Sequence, residues 1–189
     1  MLGFIDMQNS EHQSARFERL VLPHLDAAYN LARWLTRDAH QAQDIVQDAC
    51  VRALRFLDGC KGDDGRAWLL AIVRNTCWSW LEKNRPADMT TLEPGALEAT
   101  LDVVSASAAA EANPEVILLQ SANRKLVNQA LEELPVAFRE VIVMREIEDL
   151  SYKEIASIAA IPIGTVMSRL ARGRELLRRS IEQRMRRAS

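Results

Sequence analysis

Apolar residues recur along most of this chain with a helical period. Over residues 15–35, Phe17, Leu20, Val21, Leu25, Ala28, Leu31, Ala32 and Leu35 keep that spacing, and Pro23 predicts a break within it. The stretch DAHQAQDIVQDACVRALRFLDG (38–59) is cleaner: Asp38 suits an N-cap and Gly59 a stop. Helical projection puts Ile45, Ala49, Ala53 and Phe56 on a predicted inner face, with Val46, Cys50 and Leu57 beside them. Asp44, Gln47, Asp48, Val51, Arg52 and Arg55 fall on the other side. By periodicity alone that side is a solvated face with an Asp48–Arg52 pair at i,i+4.

The loop GCKGDDG (59–65) leads into RAWLLAIVRNTCWSWLEKNRP, where the amphipathic pattern fails. Trp68, Leu69, Leu70, Ile72, Val73, Trp78, Trp80 and Leu81 surround the helix axis. A helix that is apolar all round is buried or binds something. Tryptophans interleaved with Arg66, Arg74, Asn75, Lys83 and Arg85 suit stacking on unpaired bases. Core packing is the competing reading, preferred for Trp68 and open for Trp78 and Trp80.

Periodicity then lapses over residues 86–113, PADMTTLEPGALEATLDVVSASAAAEAN, rich in Ala, Ser and Thr. This predicts a flexible linker, with a short helix possible near 96–104. Asn113, Pro114 and Glu115 open the next helix as cap, first-turn proline and first-turn acid, and it should run to about Leu134. Pro135 opens another, carrying Phe138, Val141, Ile142 and Met144 and ending near Glu148 and Asp149. Ser151 and Glu154 match a capping box, which starts a third helix with Ile155, Ala156 and Ala159 inside. Pro162 and Gly164 mark a bend before a fourth, in which Val166 and Leu170 point inward. Thr165, Ser168, Arg169, Arg172, Arg178 and Arg179 lie on its opposite side. Two short helices, a tight turn and a basic outward face describe a helix-turn-helix, whose second helix presents its early residues to the major groove. The fold class is therefore all-α: two small helical domains, 1–85 and 114–189, joined by a linker at 86–113.

Charge sharpens that division. The formal net charge is −2, yet residues 1–85 hold 11 bases and 11 acids, 86–113 hold five acids and no base, and 114–189 hold 13 bases against 10 acids. From Arg169 onward there are eight bases and two acids. DNA responds to this local potential rather than to the sum. Cys50, Cys60 and Cys77 form no CxxC pair, so reduced thiols are expected rather than a disulfide framework or a redox sensor. His12, His24 and His40 make no metal or triad set, and no Gly-rich phosphate loop occurs. Neither a cofactor, a metal nor a catalytic residue is expected. The start, MLGFIDMQNSEHQ, lacks the pattern of a secretory signal, and no apolar run approaches the roughly 18 residues of a membrane span, so a cytoplasmic protein without membrane insertion is expected.

Both halves resemble one family, the extracytoplasmic-function (group 4) RNA polymerase sigma factors. DAHQAQDIVQDACVRAL is similar to the family's region 2.2, WLLAIVRN to its region 2.3, and LSYKEIASIAAIPIGTVMSRLARGRELL to its region 4 helix-turn-helix. The three motifs stand in the family's order around a variable linker, and the resemblance spans about residues 15–85 and 114–182. It implies a protein that binds core RNA polymerase and directs promoter recognition, under an anti-sigma factor. Asp44, Gln47, Asp48 and Arg52 would dock the clamp coiled coil of the polymerase β′ subunit, and region 4 would meet the β flap. Lys61, Trp68, Arg74, Asn75, Trp78 and Lys83 would grip the melted −10 strand, with a flipped base near Asn75. Thr165, Ser168, Arg169 and Arg172 would read the −35 duplex, while Arg174 and Arg178 would touch phosphates, which position without specifying.

The sequence departs from the family pattern at several places. Met167 stands where a base is common, Ser79 and Glu82 replace an acid and a base, and Ala160 and Asp149 replace frequent glycines. Two rivals make distinct predictions. A helix-turn-helix regulator acting without core polymerase would bind promoters alone, and the Asp44–Arg52 face argues against it. An anti-sigma or adaptor protein would leave the arginines of 169–179 unexplained.

Overall fold

The computed structural model describes residues 13–60, 62, 64–84 and 114–188, and within 114–188 the side chains of 124–187. Lys61 and the predicted linker at 86–113 lie outside the described residues. Those residues hold helices and no strand.

A first helix, α1 (13–20), ends at a 3-10 turn, Leu22–His24, where Pro23 breaks the pattern as its sequence position predicts. Helix α2 (Leu25–Thr36) buries Ala28, Leu31, Ala32 and Leu35. Helix α3 (Ala39–Arg55) starts on the Asp38 cap, whose Oδ1 accepts from the backbone N–H of His40 at 2.8 Å and of Gln41 at 3.0 Å. Those bonds, the Gln41 one first, hold the Asp38 carboxyl below its ordinary range. Ala42, Ile45, Ala49 and Ala53 form the buried face of α3.

Phe56 corrects the sequence reading. It is 67% exposed, not part of the inner face. The helix stops at Arg55, Phe56 leaves α geometry (φ −113), and Leu57 takes the buried place in a 3-10 turn. Gly65 then opens α4 (Gly65–Asn84) against the end of α1: a Cβ there would lie 2.1 Å from the Leu20 carbonyl oxygen. No other residue type fits so close to another backbone.

The second half comprises α5 (Pro114–Glu133), α6 (Val136–Ile142) running into a π turn (Val143–Ile147), α7 (Tyr152–Ala159) and α8 (Ile163–Ala188). The capping box at the start of α7 is complete: Glu154 N–H donates to Ser151 Oγ, and Ser151 N–H donates to Glu154 Oε2 at 2.7 Å. Ala160 (φ 53) and Asp149 (φ 49) both take left-handed backbone, the conformation a glycine adopts without strain. Helices α7 and α8 are bent by 102°, within the range of helix-turn-helix pairs. Val166 and Leu170 are buried, as their spacing predicts. The length of α8 carries Ser180 and Arg184 back to Glu133 on α5.

The two halves do not stand apart. Helix α4 lies between α2 and α3 on one side and α7 on the other, and α2 also packs on α6. One continuous cluster of buried apolar residues runs from Leu20 to Leu170. This explains why α4 is apolar nearly all round: one face closes the first bundle and another meets the second. Among the described residues, no single helix is long and apolar enough to cross a membrane.

Candidate nucleic-acid interface

The outer face of α3 is open to solvent. Asp44, Gln47, Asp48 and Arg52 are all exposed, and Asp48 pairs with Arg52 at 2.9 Å. An exposed ion pair of this kind contributes only a few tenths of a kcal/mol, so it organises the face more than it stabilises the helix (~0.3–0.5). Val51 and Leu54, each about half exposed, extend this face with apolar area. Leu54 was missed by the periodic pattern.

The α4 residues are in a different situation. Trp68 is half-buried against the core, in keeping with its core reading. Asn75 and Lys83 are exposed. Arg74 and Trp78, however, are engaged by the other half of the chain. Glu140 of α6 is fully buried, and its Oε1 accepts from Arg74 Nε at 2.6 Å and from Trp78 Nε1 at 2.7 Å. The Arg74 guanidinium also sits over the Trp78 ring, 5.1 Å from its centre, and donates to Asn75 Oδ1 at 3.3 Å. Below them, burial first and then the Glu140 charge push the Cys77 thiol up to about 12.

A second pair lies about two helical turns along α4. Arg66 donates to the Glu148 carbonyl at 2.7 Å and to its Oε2 at 3.0 Å, and Asn30 donates to Oε1 at 3.2 Å. Thus Arg66 and Arg74 run antiparallel to Glu148 and Glu140 across the contact. Arg139 reinforces it by donating to Leu35 O at 3.4 Å, and Arg37 by donating to Leu134 O at 3.2 Å. Burial, with Arg37 nearby, lowers Arg139 to about 9, so it remains charged at neutral pH. Glu140, Glu148, Arg139 and Arg66 were not legible as partners, because long-range charge pairing leaves no local spacing signal.

On α8 the predicted −35 residues divide. Arg172 is exposed and has no partner among the described residues. Ser168 is exposed, with its hydroxyl donating back to Thr165 O at 3.1 Å, and Thr165 is half-buried. Arg169 turns inward: its side chain is 20% exposed and its Nη1 lies 3.9 Å from Glu140 Oε2, an oxygen with no hydrogen bond. Arg174 donates to Glu146 Oε1 from Nε (3.1 Å) and Nη2 (2.6 Å), and that bond raises its pKa. Arg178 is held by Glu175 at 2.8 Å, though two-thirds exposed. Glu140 therefore gathers two predicted −10 residues and one predicted −35 residue at a single carboxylate.

Both halves of the chain match known proteins. Residues 20–86 match the family described as Sigma-70 region 2, and residues 124–177 match Sigma-70, region 4. The ECF RNA polymerase sigma-E factor of Escherichia coli (strain K12) is 37% identical over 150 residues, covering 76% of this chain and 75% of that protein. The chain belongs to the extracytoplasmic-function group of sigma-70 factors. The RNA polymerase sigma-H factor of Pseudomonas aeruginosa is 32% identical over 180 residues, covering 91% of this chain and 89% of its own. Two solved structures share the fold. The sigma factor RpoE from Bartonella quintana, in complex with the anti-sigma factor NepR, superposes with a TM-score of 0.64 at 25% identity, over 88% of this chain and 96% of that one. CnrH in complex with the cytosolic domain of CnrY gives 0.60 at 26% identity, over 88% of each chain.

Proposed function

We propose that this sigma factor docks on core RNA polymerase through the outer face of α3 and only then presents α4 and α8 to promoter DNA. The observation that carries this order is the contrast between the faces. The α3 face with Asp44, Gln47, Asp48 and Arg52 is free, whereas Arg74 and Trp78 of α4 are held by Glu140 of the other half. Contact with a −10 strand through Arg74 and Trp78 requires the two halves to part. On the polymerase, residues 1–85 take the β′ clamp and the −10 element, residues 114–189 take the β flap and the −35 element, and 86–113 spans between them. The two DNA elements lie roughly 55 Å apart, about one and a half turns, while a free coil of this length averages about 30 Å. Polymerase must therefore hold the linker stretched. The protein performs no chemistry of its own; nucleotide addition belongs to the polymerase, in the cytoplasm.

RpoE of Bartonella quintana is held by the anti-sigma factor NepR and CnrH by the cytosolic domain of CnrY, and we extend control by an anti-sigma factor to this chain, with the packed arrangement as the form such a partner retains. The test is co-elution with core polymerase. Asp48→Arg reverses a charge on an exposed face, so it should abolish co-elution and leave the circular dichroism spectrum unchanged. Unaltered affinity of Asp48→Arg for core polymerase would overturn the docking face.

A further inference from the structure

Among the side chains of the recognition helix, Met167 is the one that a solvated basic face does not account for. It is 54% exposed, and Ile163, one turn earlier on the same side, is 44% exposed. Around it the surface is low. Gly164 is exposed, with nothing within 4 Å of the place a Cβ would occupy, and Ala171 is the next residue along the ridge. Met167 therefore stands out from the helix as a flexible apolar rod beside exposed Ser168. Single exposed apolar residues are ordinary on a surface. This one lies in the first two turns of a helix whose 102° bend from α7 and basic tail fit a major groove, where early residues reach base edges.

The base-pair edges in the major groove present donors, acceptors and one apolar group, the thymine C5-methyl. A thioether side chain can donate no hydrogen bond and accepts only weakly, but it packs adaptably on a methyl group. We infer that Met167, backed by Ile163, reads a thymine C5-methyl in the −35 element and so sets a T·A preference at one or two base pairs beside those read by Ser168 and Arg172. This deepens the promoter-binding reading and rests on it. Glu140 draws Arg169 inward, so the exposed readers on this helix are Ser168 and Arg172 for polar contacts and Met167 for an apolar one.

The experiment uses holoenzyme, the full chain with core polymerase, transcribing from a library randomised in the −35 element. Wild type should enrich thymine at the Met167 position, and Met167→Ala should lose that preference at those base pairs alone. Deoxyuridine placed there keeps every hydrogen-bonding group and removes only the methyl. It should lower wild-type promoter use about fourfold, the factor carried by one methyl-sized group leaving water. Met167→Ala should show no such drop, and Met167→Leu should restore it. Transcription that depends on the −35 element but ignores deoxyuridine overturns the methyl contact while leaving promoter recognition standing. An equal drop in wild type and Met167→Ala assigns the methyl to another residue. Transcription that never depends on the −35 element overturns the parent reading and this inference together.

Discussion

Replacing Glu140 with glutamine keeps the shape of the side chain and deletes its charge. The carboxylate is fully buried, and one oxygen takes both the Arg74 and the Trp78 hydrogen bond. Bonds to a charged group contribute about 1.5–3 kcal/mol net, against about 1 kcal/mol for a neutral pair. Glu140→Gln should therefore cost about 2 kcal/mol. Arg74→Met is harsher, since it leaves a buried carboxylate with Trp78 as its one remaining hydrogen-bond donor among the described residues. Breaking a buried pair in this way costs about 3–5 kcal/mol. The double variant should cost less than the sum, with a coupling of about 1.5–3 kcal/mol. Urea unfolding followed by tryptophan fluorescence measures all four corners of the cycle, with Trp78, one of four tryptophans, at the contact itself. A coupling below about 0.5 kcal/mol would mean that the two residues do not meet in solution. The packed arrangement would then be refuted at its main polar contact.

Three further outcomes are expected. Ala160→Gly should raise stability by about 0.5–1 kcal/mol in the same unfolding assay, because relief of a left-handed alanine outweighs the entropy a glycine adds to the unfolded chain. Ser151→Ala should cost about 1 kcal/mol at neutral pH as a lost N-cap. Its partner Glu154 is held below the ordinary 4.5 by hydrogen bonds to Ser151, so the carboxylate's share of the box is present above that pH and lost as pH falls through the lower folded value; in acid-unfolding scans the gap between variant and wild type should narrow by that share, while the Ser151 Oγ bond to the Glu154 N–H keeps the rest. Cys77, buried with its thiol raised to about 12, should resist a thiol reagent at pH 8 until the protein is unfolded, and prompt labelling in the native state would contradict the burial.

Local signals in the sequence were reliable wherever one short segment decided the outcome. Asp38 and Ser151 cap the helices their spacing assigns them, Pro23 breaks the first helical stretch, and Val166 with Leu170 anchors the recognition helix. Phe56 failed because periodicity extends a face past the residue where the helix actually stops. Arg174 and Arg178 read as free phosphate ligands, yet Glu146 and Glu175 engage them in the free chain. The most informative sequence signal was a failure of pattern, the apolar circumference of α4. Single-helix reasoning could only say that it is buried or binds something, and the structure answers with α7. The Glu140 and Glu148 contacts belong to that same category, since pairing across more than 60 positions has no local signature.

A promoter-selecting subunit of RNA polymerase shows itself in run-off transcription. Purified core polymerase on a promoter library should yield new, discrete start sites only when the chain is added. Those starts should vanish with Asp48→Arg and shift in −35 preference with Arg172→Ala. No new start sites with core polymerase, together with tight promoter binding by the free chain at physiological salt, would rule out a polymerase subunit and point instead to a helix-turn-helix regulator acting alone.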